Sequence, residues 1–238
     1  SIFSNKRVSE SDVLKQADTA MYKAKQSGKN CVVGFTQDMQ AEANKRLTIQ
    51  GELKLAIEQN QLELHYQPQF DSKGKLSGME ALVRWNHPSK GRISPNEFIP
   101  IAEESELISE LDLWVCNESC KLLCECLHTK ISLNISARHL ARADFVAKFM
   151  AIVDKWKVNH KFITLELTES ALIKGVSTIQ ARVRELAHFG FNLSIDDFGI
   201  GESNLNYLQD LPISELKVDK EFVSAMESSE QKRLLITS

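Results

Sequence analysis

The stretch FITLELT, Phe162 to Thr168, decides the fold. Its polar residues Thr164, Glu166 and Thr168 share one parity, while Ile163, Leu165 and Leu167 share the other. Side chains alternate across a strand, so this segment presents an aliphatic face to helices and a polar face to something else. The same alternation recurs in three other segments. ISLNIS (Ile131 to Ser136) sets Ser132, Asn134 and Ser136 against Leu133 and Ile135. FNLSID (Phe191 to Asp196) sets Asn192, Ser194 and Asp196 against Leu193 and Ile195. ELKVD (Glu215 to Asp219) sets Glu215, Lys217 and Asp219 against Leu216 and Val218. Strands of an open doubly wound sheet are apolar on both faces. A polar inner face instead predicts an α/β barrel whose site lies at the C-terminal strand ends.

Helical periodicity covers Glu106 to Cys126, Arg138 to Trp156 and Ser177 to Phe189, so strands and helices alternate and the sheet is largely parallel. Ser94, Pro95 and Glu97 read as a capping box with Pro at the first helical position. LELHYQ (Leu62 to Gln67) and LSGMEALVRW (Leu76 to Trp85) are joined only by PQFDSKGK. That link is too short for a helical crossover, so these two strands pair antiparallel.

Upstream the texture differs. Val13, Leu14, Ala17, Met21 and Ala24 follow helical spacing, and Gly28 is a stop signal. CVVGF (Cys31 to Phe35) reads as a short strand. A second helix over Asp38 to Glu58 spans roughly 30 Å at 1.5 Å per residue and reads as a connector. The expected organisation is residues 1–36 as one remnant, 37–60 as a connecting helix and 61–238 as the main domain.

The chain has 238 residues and a net charge of −3, with 42% hydrophobic residues. A substantial core is available, and no basic excess points to DNA. Any phosphate ligand requires a local site. No apolar run approaches the roughly 20 residues of a membrane span. The opening SIFSNKRVSE lacks Met and a signal-peptide core, and reads as an internal cut. An odd count of five cysteines suits a reduced cytoplasm rather than a disulfide framework. Cys116, Cys120 and Cys124, spaced by four on a helix, read as core residues.

The informative polar residues sit late in their strands: Glu80, Asn134, Glu166, Asp196 with Asp197, and Lys217 with Asp219. Of these, the four acids Glu80, Glu166, Asp196 and Asp197 and the Asn134 amide oxygen make a hard, oxygen-only set that suits Mg²⁺ or Mn²⁺. The adjacent acids Asp196 and Asp197 are suited to bridging two cations about 3.5–4 Å apart, the arrangement for in-line attack on a phosphodiester. Arg84 shares a face with Glu80 and is within reach of a phosphate. Asp-Asp before Gly is equally compatible with plain turn chemistry, and Arg84 with a surface ion pair.

EALVRW at Glu80 resembles the signature of EAL-domain cyclic di-GMP phosphodiesterases. YQPQ at Tyr66 before it, and NIS at Asn134, ELTES at Glu166, DDFGIG at Asp196 and LKVD at Lys217 after it, stand in that family's order, over about Leu47 to Phe222. The resemblance implies a modified (β/α)₈ TIM-like barrel with an antiparallel first strand. It implies hydrolysis of cyclic di-GMP to linear pGpG with Mg²⁺ or Mn²⁺ at a two-metal site. It also implies a homodimer, in a protein that is cytoplasmic or anchored through an upstream region. Glu80, Asn134, Glu166 and Asp196 would be metal ligands, with Asp197 on the second metal. Lys217 would touch the attacking water or the phosphate, supported by Asp219. Glu169 would anchor the loop after Asp197, and Gln67 and Arg84 would contact the dinucleotide.

ADTAMYKAKQSGKN, from Ala17, resembles the closing helix of a GGDEF diguanylate-cyclase domain, which implies an upstream GGDEF or sensory domain. The GGDEF signature itself is absent from the chain. Two departures from the EAL pattern stand out. The loop DDFGIGESNL carries Ile200, Glu202 and Asn204 where the family has Thr, Tyr and Ser. A seventh strand with an EGVE-like Glu and an eighth strand with a nearby Gln do not occur before Ser238. On that reading the EAL domain is C-terminally truncated, with two open sheet edges. The alternative function is a catalytically impaired cyclic di-GMP receptor or a dimerisation module.

Overall fold

A computed structural model describes residues 9–26, 28, 30–125, 129–174, 176–199, 211–220 and 223. The chain divides into two compact units, Ser1–Leu55 and Ala56–Ser238. The first holds helix α1 (Glu10–Gln26) and most of α2 (Gln37–Glu58), so the division falls inside the helix read as a connector. Within this unit Lys23 pairs with Glu42 at 2.7 Å. The expected strand at Cys31–Phe35 does not form, and Val32 is fully exposed. β-branched residues favour extended backbone, but a strand needs a partner for its N–H and C=O groups, and none pairs here among the described residues.

The second unit is built on one sheet. Its strands are β1 (Leu62–Phe70), β2 (Leu76–His87), β3 (Gly91–Ile93), β4 (Lys130–Asn134), β5 (Ile163–Thr168), β6 (Asn192–Phe198) and β7 (Glu215–Val218). They are ordered β1-β2-β4-β5-β6-β7, with β3 hairpinned onto β2. β1 and β2 pair antiparallel, as the short link requires. The pairs from β2 to β7 are parallel. This is the strand order of a (β/α) barrel with a reversed first strand. Sequence neighbours become spatial neighbours because the crossovers from β2 to β4, β4 to β5 and β5 to β6 are helical.

Helices α3 (Pro95–Glu104) and α4 (Leu107–Glu125) return the chain from β3 to β4. The single helix expected over Arg138–Trp156 is two, α5 (Ala137–Leu140) and α6 (Phe145–Trp156), broken by a turn at 141–144. α7 (Glu169–Lys174) and α8 (Val176–His188) lead to β6. β3, α7 and a short 3₁₀ turn at His160–Phe162 were not legible in the sequence, since three to six residues carry too little periodicity. Pro95 does start α3, but the Ser94 side chain makes no capping bond; the turn is held instead by Glu97 N–H donating to the Ser94 carbonyl at 2.9 Å.

The aliphatic parity faces the helices, as alternation demands. Ile131, Leu133, Ile163, Leu165, Leu193 and Ile195 are buried and share one core with Cys116, Cys120, Phe149, Val153, Val183 and Leu186. Cys116 and Cys120 are thus packing residues, whereas Cys124 is exposed and its thiol donates to the Trp156 carbonyl. Each four-residue step on a helix turns roughly 40°, enough to carry the third cysteine off the buried face. Cys126 lies outside the described residues.

Candidate metal centre

The polar parity faces inward, and register sorts it into layers. Ser132 pairs with Glu80 on one side and Thr164 on the other. One step on, Asn134 pairs with Glu166, and Glu166 with Ser194. One step further, Thr168 pairs with Asp196. Ser132, Thr164, Glu166 and Ser194 are all buried. Parallel partners share a face, so strands far apart in sequence stack their carboxylates at one end of the sheet.

Glu80, Glu166 and Asp196 each offer an oxygen within 4.8 Å of the others. Lys217 projects among them. Its ammonium donates to Glu80 Oε2 at 2.9 Å and Glu166 Oε2 at 2.7 Å, and it stands 3.5 Å from Asp196 Oδ2. Asn134 Nδ2 donates to Glu80 Oε1 at 2.9 Å, so the amide is tied to the same group. Burial alone would lower the Lys217 pKa. Hydrogen bonds to Glu166 and Glu80 outweigh it and hold the ammonium well above its usual range.

Glu166 is 1% exposed, and burial raises its carboxyl to about 7, with the Lys217 hydrogen bond opposing and the Glu80 charge adding. Its Oε1 is buried and has no hydrogen-bond partner. A buried acceptor left unpaired costs about 1–3 kcal/mol, so the geometry calls for a further cation or donor there. Three carboxylates against one ammonium leave an excess of negative charge. An all-oxygen donor set with an orphaned buried oxygen fits a hard divalent ion. A metal must displace the Glu166 proton. Affinity for Mn²⁺ is therefore expected to fall as pH drops below about 7, by up to ~10-fold per unit. Calorimetric titrations at several pH values check this, and a flat profile refutes it. In the metal-free protein the sign for stability is opposite to that of an ordinary paired carboxylate. The raised pKa favours folding fully below 4.5, and that contribution is lost as pH rises through about 7.

Strict alternation would send Asp197 to the face opposite Asp196. The ladder between β6 and β7 is irregular here: Ile195 pairs with Leu216 and Phe198 with Val218, so both acids oppose the single residue Lys217. This is a β-bulge, and Asp197 adopts the left-handed conformation with φ +56°. Burial, then the neighbouring charges of Asp196 and Asp219, raise the Asp197 carboxyl pKa. Asp197 is not one of the carboxylates converging within 4.8 Å. Asp219 follows β7, its backbone N–H donating to the Phe198 carbonyl at 3.2 Å.

Glu169 opens α7 directly after β5, is 3% exposed, and accepts a hydrogen bond from Gly199 N–H at 3.1 Å. Gly199 has φ +102°, which strains any residue with a Cβ. A buried carboxylate thus pins the turn that follows Asp197. Glu169→Ala would orphan that N–H, and unfolding is expected to become easier by about 1–3 kcal/mol. Denaturant titration beside Glu169→Gln, which keeps an acceptor, separates the bond from simple volume loss; equal losses in both variants would refute the pinning role. Residues 200–210, including Ile200, Glu202 and Asn204, lie outside the described residues.

Gln67 pairs with Glu80 across β1 and β2, and is exposed beside the acid group. Arg84 shares the face of Glu80, about 13 Å further along β2 toward its C-terminal end at four residues' rise. Its Nη1 donates to the Val83 carbonyl. Gln67 therefore lies beside Glu80, and neither Gln67 nor Arg84 joins the carboxylate group. Among the described residues no helix is long and apolar enough to cross a membrane.

Residues 50–238 match the family model of the EAL domain. MucR of Pseudomonas aeruginosa, a bifunctional diguanylate cyclase/cyclic di-GMP phosphodiesterase, is 37% identical over 221 residues, covering 90% of this chain and 32% of that protein. PdeR of Escherichia coli, a cyclic di-GMP phosphodiesterase, is 34% identical over 215 residues, covering 89% of this chain and 32% of its own length. The chain thus spans about a third of these relatives. The solved PaMucR phosphodiesterase in its c-di-GMP complex superposes with a TM-score of 0.72 at 34% identity, covering 79% of each chain. The carboxylates on successive strand ends, the reversed first strand and these matches agree: the chain belongs to the EAL-domain family, on a TIM-barrel-like α/β fold.

Proposed function

We propose that this chain is the hydrolytic domain of a cyclic di-GMP phosphodiesterase that opens the cyclic dinucleotide to linear pGpG. The observation that carries it is the convergence of Glu80, Glu166 and Asp196 around Lys217, with Glu166 Oε1 buried and unpaired. Glu80, Asn134, Glu166 and Asp196 would hold Mg²⁺ or Mn²⁺, with Asp197 toward a second ion. Bound there, the metal supplies an activated nucleophile and neutralises charge on the phosphate. Lys217 keeps the carboxylates together before the metal arrives and offers an N–H donor to phosphate or attacking water afterwards. Asp219 supports the bulged turn, and Glu169 holds its far side. Arg84, on the same strand as Glu80, and Gln67, on the neighbouring β1, bind and orient the dinucleotide. Water adds across one P–O bond; its oxygen stays on phosphorus and its proton passes to the departing ribose oxygen.

The same reading makes residues 1–36 the end of an upstream GGDEF domain and the working form a homodimer. It rests on the Ala17–Asn30 sequence, helical through Gln26, and on the family's pattern. The decisive experiment is chromatographic detection of pGpG from cyclic di-GMP with Mg²⁺ or Mn²⁺, against a chelator control, in the protein that contains this chain. Metal-dependent pGpG formation is expected. Tight binding with Ca²⁺ but no turnover with any of the three ions would make the domain a receptor instead.

A further inference from the structure

At the turn that follows β4 lies a second buried ionisable pair that the proposed chemistry does not use. Asp112 on α4 is 5% exposed and His139 on α5 is 1% exposed. His139 Nδ1 lies 3.0 Å from Asp112 Oδ2, and the same oxygen accepts from Ser136 N–H at 3.2 Å. The His139 ring packs edge-on against Phe145, with centroids 4.7 Å apart. Burial raises the Asp112 carboxyl pKa, while His139 and the Ser136 N–H favour its charged form. A buried carboxylate is expensive to keep, and apolar residues of similar volume in place of this pair would often be no less stable.

What the pair holds is specific. Ser136 stands two residues beyond Asn134, where β4 ends and the chain turns into α5. On one side of that end, Ile135 N–H donates to the Glu166 carbonyl at 3.0 Å. On the other, Ser136 Oγ accepts from Arg138 N–H at 3.3 Å, and Arg138 Nη1 reaches the Glu103 carbonyl at 2.7 Å. Asp112 is the side chain that ties this turn to α4. A group that orients a ligand-bearing segment typically alters metal affinity or activity by about 10–100-fold when removed.

We propose that Asp112 and His139 are positioning residues: they fix the β4 terminus so that the Asn134 amide meets Glu80 and, through it, the metal centre. This rests on the hydrolytic reading above. Asp112 acts through Ser136, not by touching substrate or metal.

The test compares Asp112→Leu, Asp112→Asn, His139→Leu and His139→Asn in the protein that contains this chain, at a temperature where circular dichroism shows each folded. Asparagine places its amide N–H near the position of imidazole Nδ1–H, so His139→Asn keeps the donor. Expected for both leucine variants is about 10–100-fold weaker Mn²⁺ affinity by calorimetry, with kcat falling similarly and KM for cyclic di-GMP little changed. His139→Asn should recover most of both. Should a leucine variant fail to fold, Asp112→Asn decides by the same two readouts: it replaces the charged acceptor of the Ser136 N–H with a weaker neutral one, so a smaller loss of both Mn²⁺ affinity and kcat is expected, and wild-type values of both would overturn the proposal. Variants with a lower Tm but wild-type Mn²⁺ affinity and kcat would overturn the positioning role alone. A wild-type protein that neither binds Mn²⁺ nor forms pGpG would overturn the hydrolytic reading and this one with it.

Discussion

Glu166→Gln is expected to abolish measurable pGpG formation, with a loss of about 10³-fold or more. The substitution keeps volume and removes one negative charge from the most buried member of the carboxylate group. A divalent ion placed by this group contributes several kcal/mol of charge stabilisation, and about 4 kcal/mol corresponds to ~10³ in rate. Glutamine also turns one of the two oxygens into an amide. Either Lys217 loses its 2.7 Å acceptor or an N–H is aimed into the position of the unpaired Oε1, where a cation belongs. Mn²⁺ affinity should fall together with activity, whereas thermal stability without metal should hold or rise. The last point follows from burial: a neutral side chain no longer carries the penalty that pushes the Glu166 carboxyl to about 7. Metal-dependent turnover within tenfold of wild type would remove Glu166 from the centre.

Lys217→Met is expected to separate binding from turnover. In the metal-free protein Lys217 is the cation that sits 2.9, 2.7 and 3.5 Å from Glu80, Glu166 and Asp196. Removing it leaves carboxylates that repel each other, so stability without metal should drop by about 3 kcal/mol. The divalent ion then loses its internal competitor. Mn²⁺ affinity is expected to tighten by about tenfold, consistent with roughly 1.4 kcal/mol of relieved competition. Hydrolysis should nevertheless fall about 10²-fold or more, because the donor for phosphate or water has gone. Thermal melts with and without Mn²⁺, beside pGpG assays, give all three quantities. Weaker metal binding in the variant would show that Lys217 supports the ion instead of competing with it.

Asp196 and Asp197 show where reading residues in order succeeds and where it stops. Alternation places Asp196 inward beside Glu166 and Asn134, and the structure agrees. Alternation gives Asp197 the other face. Only the β6–β7 register, which slips between Ile195 and Phe198, sets both acids opposite Lys217. A bulge depends on the partner strand, and residues 211–218 are too far along the chain to leave a local mark on 196–197. The break between α5 and α6 is similar. Apolar spacing runs through Arg138–Trp156, but the Asp112 carboxylate from α4 anchors the short first helix.

The sequence by itself determined the class of fold and the identity of the acids. Period-two alternation in four segments requires one aliphatic and one polar face, and the eight-residue link between the first two strands requires them to run antiparallel. Carboxylates late in those strands must then gather at one end. Tertiary structure decided what neutralises them and what holds them still. Glu80 and Lys217 are 137 positions apart, and Asp112 and His139 are 27 apart on different helices. Neither pairing has a periodic signature, because it depends on which strand ends and helix faces meet once the sheet has curled and its core has packed. Burial raises the Glu166 carboxyl to about 7 and leaves one of its oxygens waiting for a cation, while the hydrogen bonds from Lys217 to Glu166 and Glu80 hold its ammonium charged against that same burial.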